Sequence, residues 1–154
     1  MTRRAFIAGL GGAAAWPMMA RGQQAAKVFR IGMLFAGGDY RSQAAWAAFV
    51  EAMRELGWIE GKNFVFEHRF ANNRLDRLSE MAADLVALNV DVIATGGTFA
   101  PLAAKKATST IPIVMQAAGD PLGSGLVTSL ARPGGNITGL SLMAPIWAAS
   151  DLSY

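Results

Sequence analysis

Cysteine is absent from this chain of 154 residues, and histidine occurs once, as His68. Without a thiol there is no disulfide framework, no thiolate metal site, no thiol nucleophile and no lipid carried on cysteine. A single imidazole excludes a histidine-cluster metal site and leaves little material for a Ser–His mechanism. Charged residues are also scarce, at 16%, whereas 53% of the chain is apolar, too much for a disordered polypeptide. The length suits one domain.

The small net charge of +3 is unevenly placed. Arg3, Arg4 and Arg21 fall in the first 22 residues, where there is no acid, and the remainder carries eleven residues of each sign. The basic character therefore belongs to the leader, and neither nucleic acid nor an anionic membrane surface is an expected partner. Residues 1–22 read as an export signal. Thr2 to Ile7 form a charged start, Ala5 to Ala20 an uncharged stretch, and Ala20-Arg21-Gly22 a small-x-small cleavage site with Gln23 as the mature start. The stretch is too short, and too broken by glycine and Pro17, to span a membrane. Paired arginines before Ala-Phe-Ile resemble a twin-arginine signal, with an ordinary secretory signal as the alternative. Gly9-Leu10-Gly11-Gly12-Ala13-Ala14 fits a dinucleotide fingerprint only by letter. It lacks a full preceding strand, and Arg30 stands near where the acid belongs.

Beyond Lys27 the hydrophobic period alternates between strand-like and helix-like. Strands are predicted over Val28–Phe35, Asn63–Phe70, Val90–Thr95, Pro112–Gln116 and Ile137–Leu142. Helices are predicted over Ser42–Leu56, from an Asn73 cap to Val86, over Phe99–Thr108, and as a short piece over Ser124–Leu130. Trp46, Phe49, Val50, Met53 and Leu56 form the apolar stripe of the first helix. Leu75, Leu78, Met81, Ala82, Leu85 and Val86 form that of the second. The second strand alternates, with Phe64, Phe66, His68 and Phe70 on one side, as an edge strand does.

This order predicts a doubly wound α/β fold with a parallel sheet in the order 2-1-3-4-5. Ligands of such sheets bind beyond the carboxyl ends of the strands, where the loops Ala36–Arg41, Gly96–Phe99 and Ala117–Pro121 converge. Glycines in these loops, Gly38 and Gly97 among them, let a ligand approach the backbone, and helix N-termini favour an anionic group. Thr98 adds a hydroxyl, and Tyr40 and Phe99 offer rings for stacking. Asp120 could accept hydrogen bonds from a ligand ammonium or hydroxyl, or simply fix a turn. His68 reads as a partly buried structural histidine and Lys105-Lys106 as a solvated helix face. No carboxylate pair, P-loop or nucleophile elbow is present, so no catalytic residue, metal or cofactor is expected.

Four segments resemble one family: Thr95-Gly96-Gly97-Thr98, Ala107 to Val114, Gly119-Asp120-Pro121, and Leu130 to Gly139. They are similar to the ABC transporter substrate-binding proteins of the subgroup associated with aromatic amino acids and related small solutes. The leader, from Arg3 to Gln24, is similar too. The resemblance implies a two-lobed fold of type I periplasmic-binding-protein kind, in the periplasm, clasping a small, amino-acid-like solute by hinge closure. Solute would pass to an ABC permease in the inner membrane. On this basis residues 23–142 form an N-terminal lobe, and the tail 143–154, which shows no helical stripe, is aberrant or truncated. The expected product is an incomplete, one-lobe binding protein. A one-lobe module that dimerises to bind solute and a Rossmann-like enzyme are the rival readings.

Overall fold

The computed structural model describes residues 27–142. The expected export signal and the tail 143–154 lie outside them. Strand β1 (Phe29–Phe35) is followed by helix α1 (Ala44–Glu55) and β2 (Phe64–Phe70). A 3-10 turn at Leu75–Arg77 leads into α2 (Leu78–Ala87), then come β3 (Val92–Thr95), α3 (Phe99–Ala107), β4 (Ile113–Ala118) and β5 (Ile137–Ser141). All neighbouring strands pair parallel in the order β2-β1-β3-β4-β5, the order the sequence predicts, with β2 at one edge.

The core lies on one face of the sheet. Leu34, Ile93, Ile113, Met115 and Ile137 from the strands meet Leu78, Met81, Ala82 and Leu85 of α2, and Ala100, Ala103 and Ala104 of α3. Each fully buried leucine or isoleucine there contributes about 1.5–3 kcal/mol relative to exposure. Alanine on the inner side of α3 lets its backbone approach the sheet closely. Gly139 serves a similar purpose between strands. Its φ is +144°, and a Cβ there would lie 2.1 Å from the Met115 carbonyl oxygen, beside the irregularity in the β4–β5 pairing.

Three local expectations are corrected. No helix forms over Ser124–Leu130, which is a series of turns. Gly123 and Gly125 flank the segment's start, and Gly125 takes φ +72°, which a right-handed helix does not accommodate. Asn73 does not cap α2. It takes φ +63°, and its N–H donates to the Ala36 carbonyl at 2.7 Å, tying the end of β2 to the loop after β1. No residue of α1 is buried, so its apolar stripe stays outside the core, and Leu56 just beyond it is 76% exposed. Of the α2 stripe, Leu75 lies outside the core and is exposed.

Candidate functional site

Strand β1 delivers the first loop. Hydrogen bonds run from Ala71 N–H to the Phe35 carbonyl, from Asn72 to Gly37 and from Asn73 to Ala36, extending the β1–β2 pairing past both strand ends. Asn72 (φ +51°) and Asn73 reach those carbonyls from the left-handed region, which Asn tolerates better than most residues. Gly38 sits under the Asn72 side chain. Beyond it, Asp39 accepts from both the backbone N–H and the guanidinium of Arg41, and these hydrogen bonds hold its carboxyl at about 2. The pair brackets Tyr40 and turns that ring inward.

Tyr40 stands at the centre of an aromatic cluster. Its ring centroid is 4.4 Å from Phe35, 5.1 Å from Trp46 and 5.1 Å from Phe70. Burial pushes its hydroxyl well above the ordinary phenol range. The alternation read in β2 is what assembles the rest. Phe66, His68 and Phe70 point to the same side, and Trp46 of α1 rests 4.9 Å from Phe66 and 5.5 Å from His68. The stripe of α1 is thus a lid over β2 rather than a wedge into the core.

The second and third loops close on the first. Gly96 lies directly behind the Phe35 ring, so close that a Cβ would fall 2.7 Å from Phe35 Cε1. Gly97, at φ +71°, donates its N–H to the Ala117 carbonyl at 2.8 Å, binding the β3 loop to the end of β4. Thr98 sits at the start of α3 with its side chain not used as a cap, facing Gly119. Asp120 takes the turn-fixing role: its Oδ1 accepts from the Gly123 N–H at 2.8 Å. Phe99 is not gathered in with Tyr40. It is 58% exposed and borders a separate groove of about 170 Å³ with Leu75, Leu102 and Lys106.

Between these loops and the first turn of α1 lies an open cavity of about 300 Å³. Phe35, Tyr40, Trp46 and Phe49 wall it, and the amides of Gln43 and Gln116 are its polar groups. Of the candidate residues read from the sequence, only Tyr40 lines it. Gln116 left a signal that sequence reading passed over, a polar residue alternating outward within the central strand β4. Trp46 and Phe49 belong to the apolar stripe of the first helix. Four rings and two amides suit a flat apolar group with a hydrogen-bonding edge. Among the described residues no group of three His, Cys, Asp or Glu side chains could hold a metal ion. No helix among them is long and apolar enough to cross a membrane.

An open parallel sheet with glycine-rich loops and an aromatic cavity at its carboxyl ends belongs to the class of small-molecule-binding α/β lobes. The chain matches the family of ABC transporter substrate binding proteins over residues 38–152, and it belongs to that family. It is 37% identical over 93 residues to a tyrosine-binding protein of Clostridioides difficile (strain R20291), a match covering 60% of this chain and 27% of that protein. A ligand-free, open substrate-binding protein with adhesive properties from Clostridium difficile superposes with a TM-score of 0.71 at 29% identity, over 81% of this chain and 42% of that one. An ABC domain in complex with L-Trp from Streptococcus pneumonia superposes with a TM-score of 0.67 at 26% identity, over 75% and 39%. The chain therefore spans less than half the length of each of these relatives.

Proposed function

We propose that this chain supplies one side of a clasp for an amino-acid-like solute in an ABC importer. The cavity walled by Phe35, Tyr40, Trp46 and Phe49 carries the proposal. It opens where open α/β sheets bind ligands, and relatives of this family include a tyrosine-binding protein and an L-Trp complex. In this reading Tyr40 and Trp46 hold the solute's side chain. Gly38 and Thr98 present a backbone N–H and a hydroxyl to its polar end, while Gly97, whose N–H is held by the Ala117 carbonyl, fixes the loop that carries Thr98. Residues 1–22 direct export to the periplasm, and a permease in the inner membrane receives the solute. A second lobe supplies the opposing contacts, so this chain alone binds weakly.

Thermal shift and calorimetry across the common amino acids test this. The expected result is a small stabilisation by tyrosine or tryptophan, half-saturating only at roughly millimolar concentration, and none by aliphatic or acidic amino acids. Equal response to all of them would remove the aromatic cavity as the site. Tight one-to-one binding would remove the one-sided clasp. A second reading, a dimer that rebuilds the cleft from two lobes, is favoured by the exposed Leu140 and Leu142 at the β5 edge. It requires a solution mass of two chains and binding confined to that form.

A further inference from the structure

The chain's only histidine stands directly behind two walls of the cavity. His68 Nδ1 lies 3.5 Å from the Tyr40 hydroxyl, at the outer limit of a hydrogen bond. Its ring is stacked on Phe70 at 5.6 Å and meets the rings of Phe66 and Trp46, each at 5.5 Å. Tyr40 and Trp46 both line the cavity. A histidine inside a cage of rings, touching the two rings that a ligand would touch, can report its protonation state to the site.

We propose that His68 is a positioning residue whose neutral ring holds Tyr40 in the cavity wall, so that proton uptake by His68 displaces Tyr40 and weakens solute binding. The proposal rests, for its consequence on binding, on the assignment of this cavity to the solute. The chemistry is as follows. Neutral imidazole with its proton on Nε2 leaves Nδ1 free to accept from the Tyr40 hydroxyl. A proton on Nδ1 turns that acceptor into a donor, so the phenol must rotate its own proton away. It also places a cation against four rings that shield it from part of the solvent.

The charged neighbours decide the direction. Arg41 and Asp39 come from the β1–α1 loop, Glu60 from the segment before β2, and Glu67 from β2 itself, while α1 contributes the Trp46 ring. Burial first, then Arg41, holds the His68 ring neutral below the ordinary histidine range, against the pull of Glu60, Asp39 and Glu67. Cation–π attraction to the rings works the other way, but it replaces only part of the lost hydration. A ligand packed on Tyr40 and Trp46 dries the cage further. By linkage it therefore opposes protonation, and protonation opposes the ligand to the same degree.

The experiment uses the full chain and two resonances that are easily assigned. His68 is the sole histidine and Tyr40 is one of two tyrosines, the other being Tyr154. Ring signals of both are followed by NMR from pH 8 downward, to the last pH at which the amide spectrum stays native. The expected result is that Tyr40 ring signals shift with the same midpoint as His68 and stop responding in His68→Gln, whose amide does not titrate. Tyr40 signals that ignore His68 protonation in the unmodified chain would overturn the proposal, with no variant needed. In a second arm L-tryptophan is titrated above and below that midpoint. Binding should weaken at least about five-fold on the acid side, the low end of ordinary coupling between sites, and be flat in His68→Gln. If L-tryptophan binds at neither pH, the solute assignment fails, while the Tyr40 signals still decide the link to His68.

Discussion

Gly96 occupies a position where even a methyl group meets the Phe35 ring, and that ring is in turn packed on Tyr40. Gly37, on the neighbouring loop, has open space around it. The two glycines therefore separate loop flexibility from packing. Gly96→Ala forces Phe35 toward the cavity and should cost about 1–3 kcal/mol in urea unfolding, as other overpacking substitutions do. Gly37→Ala should stay within about 0.5 kcal/mol, as exposed substitutions usually do. Equal losses would mean that the Gly96 contact is relieved without cost. Asp120 illustrates a side chain with two uses, since one of its carboxylate oxygens accepts from the Gly123 N–H and fixes the turn. The same letter pattern serves a turn or a ligand, and the distance to Gly123 shows the turn.

The connection from β4 to β5 is held by a side chain rather than by a helix. Lys105, in the last turn of α3, donates to the carbonyls of Gly125 at 2.7 Å and Leu126 at 3.1 Å. It is therefore a brace, whereas Lys106 remains an exposed cation at the rim of the smaller groove. Lys105→Met keeps the aliphatic stem and removes both hydrogen bonds. Its expected global cost is about 1 kcal/mol, with a larger local effect. Amide exchange should accelerate at Gly125 and Val127, whose N–H groups close this set of turns onto Leu122 and Pro121. Unchanged exchange there would show that the buried Leu126 and Val127 hold the segment unaided.

These elements also show what the sequence could reveal. Strand order, parallel pairing and the edge position of β2 were legible because the alternating Phe64–Phe70 stretch and the apolar stripe of α2 each obey one period. The β4–β5 connection was not, because adjacent buried Leu126 and Val127 suit a helix stripe as well as a series of turns, and the left-handed φ of Gly125 that separates the two is not written in the letter pattern. The loops of the site were legible from their glycines. The cavity was not, because Gln116 and Trp46 are distant in sequence and become neighbours only once α1 lies over the face of the sheet toward which Gln116 points.

At the scale of the molecule the two faces of the sheet are unequal. Parallel sheets are normally covered on both sides. Here α2 and α3 bury one face, while on the other α1 rests over the rings of β2. Val114 of β4 is 38% exposed, and Leu140 and Leu142 at the far edge are 69% and 68% exposed. Among the described residues no strand pairs with the outer side of β5, and a strand edge beside apolar side chains is a template for other chains. The shelf life of this protein in solution should therefore be set by how often two molecules meet rather than by how often one unfolds. Light scattering during storage should rise more steeply than linearly with protein concentration, and a low, non-denaturing dose of urea should slow it. Loss that is first order in protein would assign the decay to the folded lobe itself.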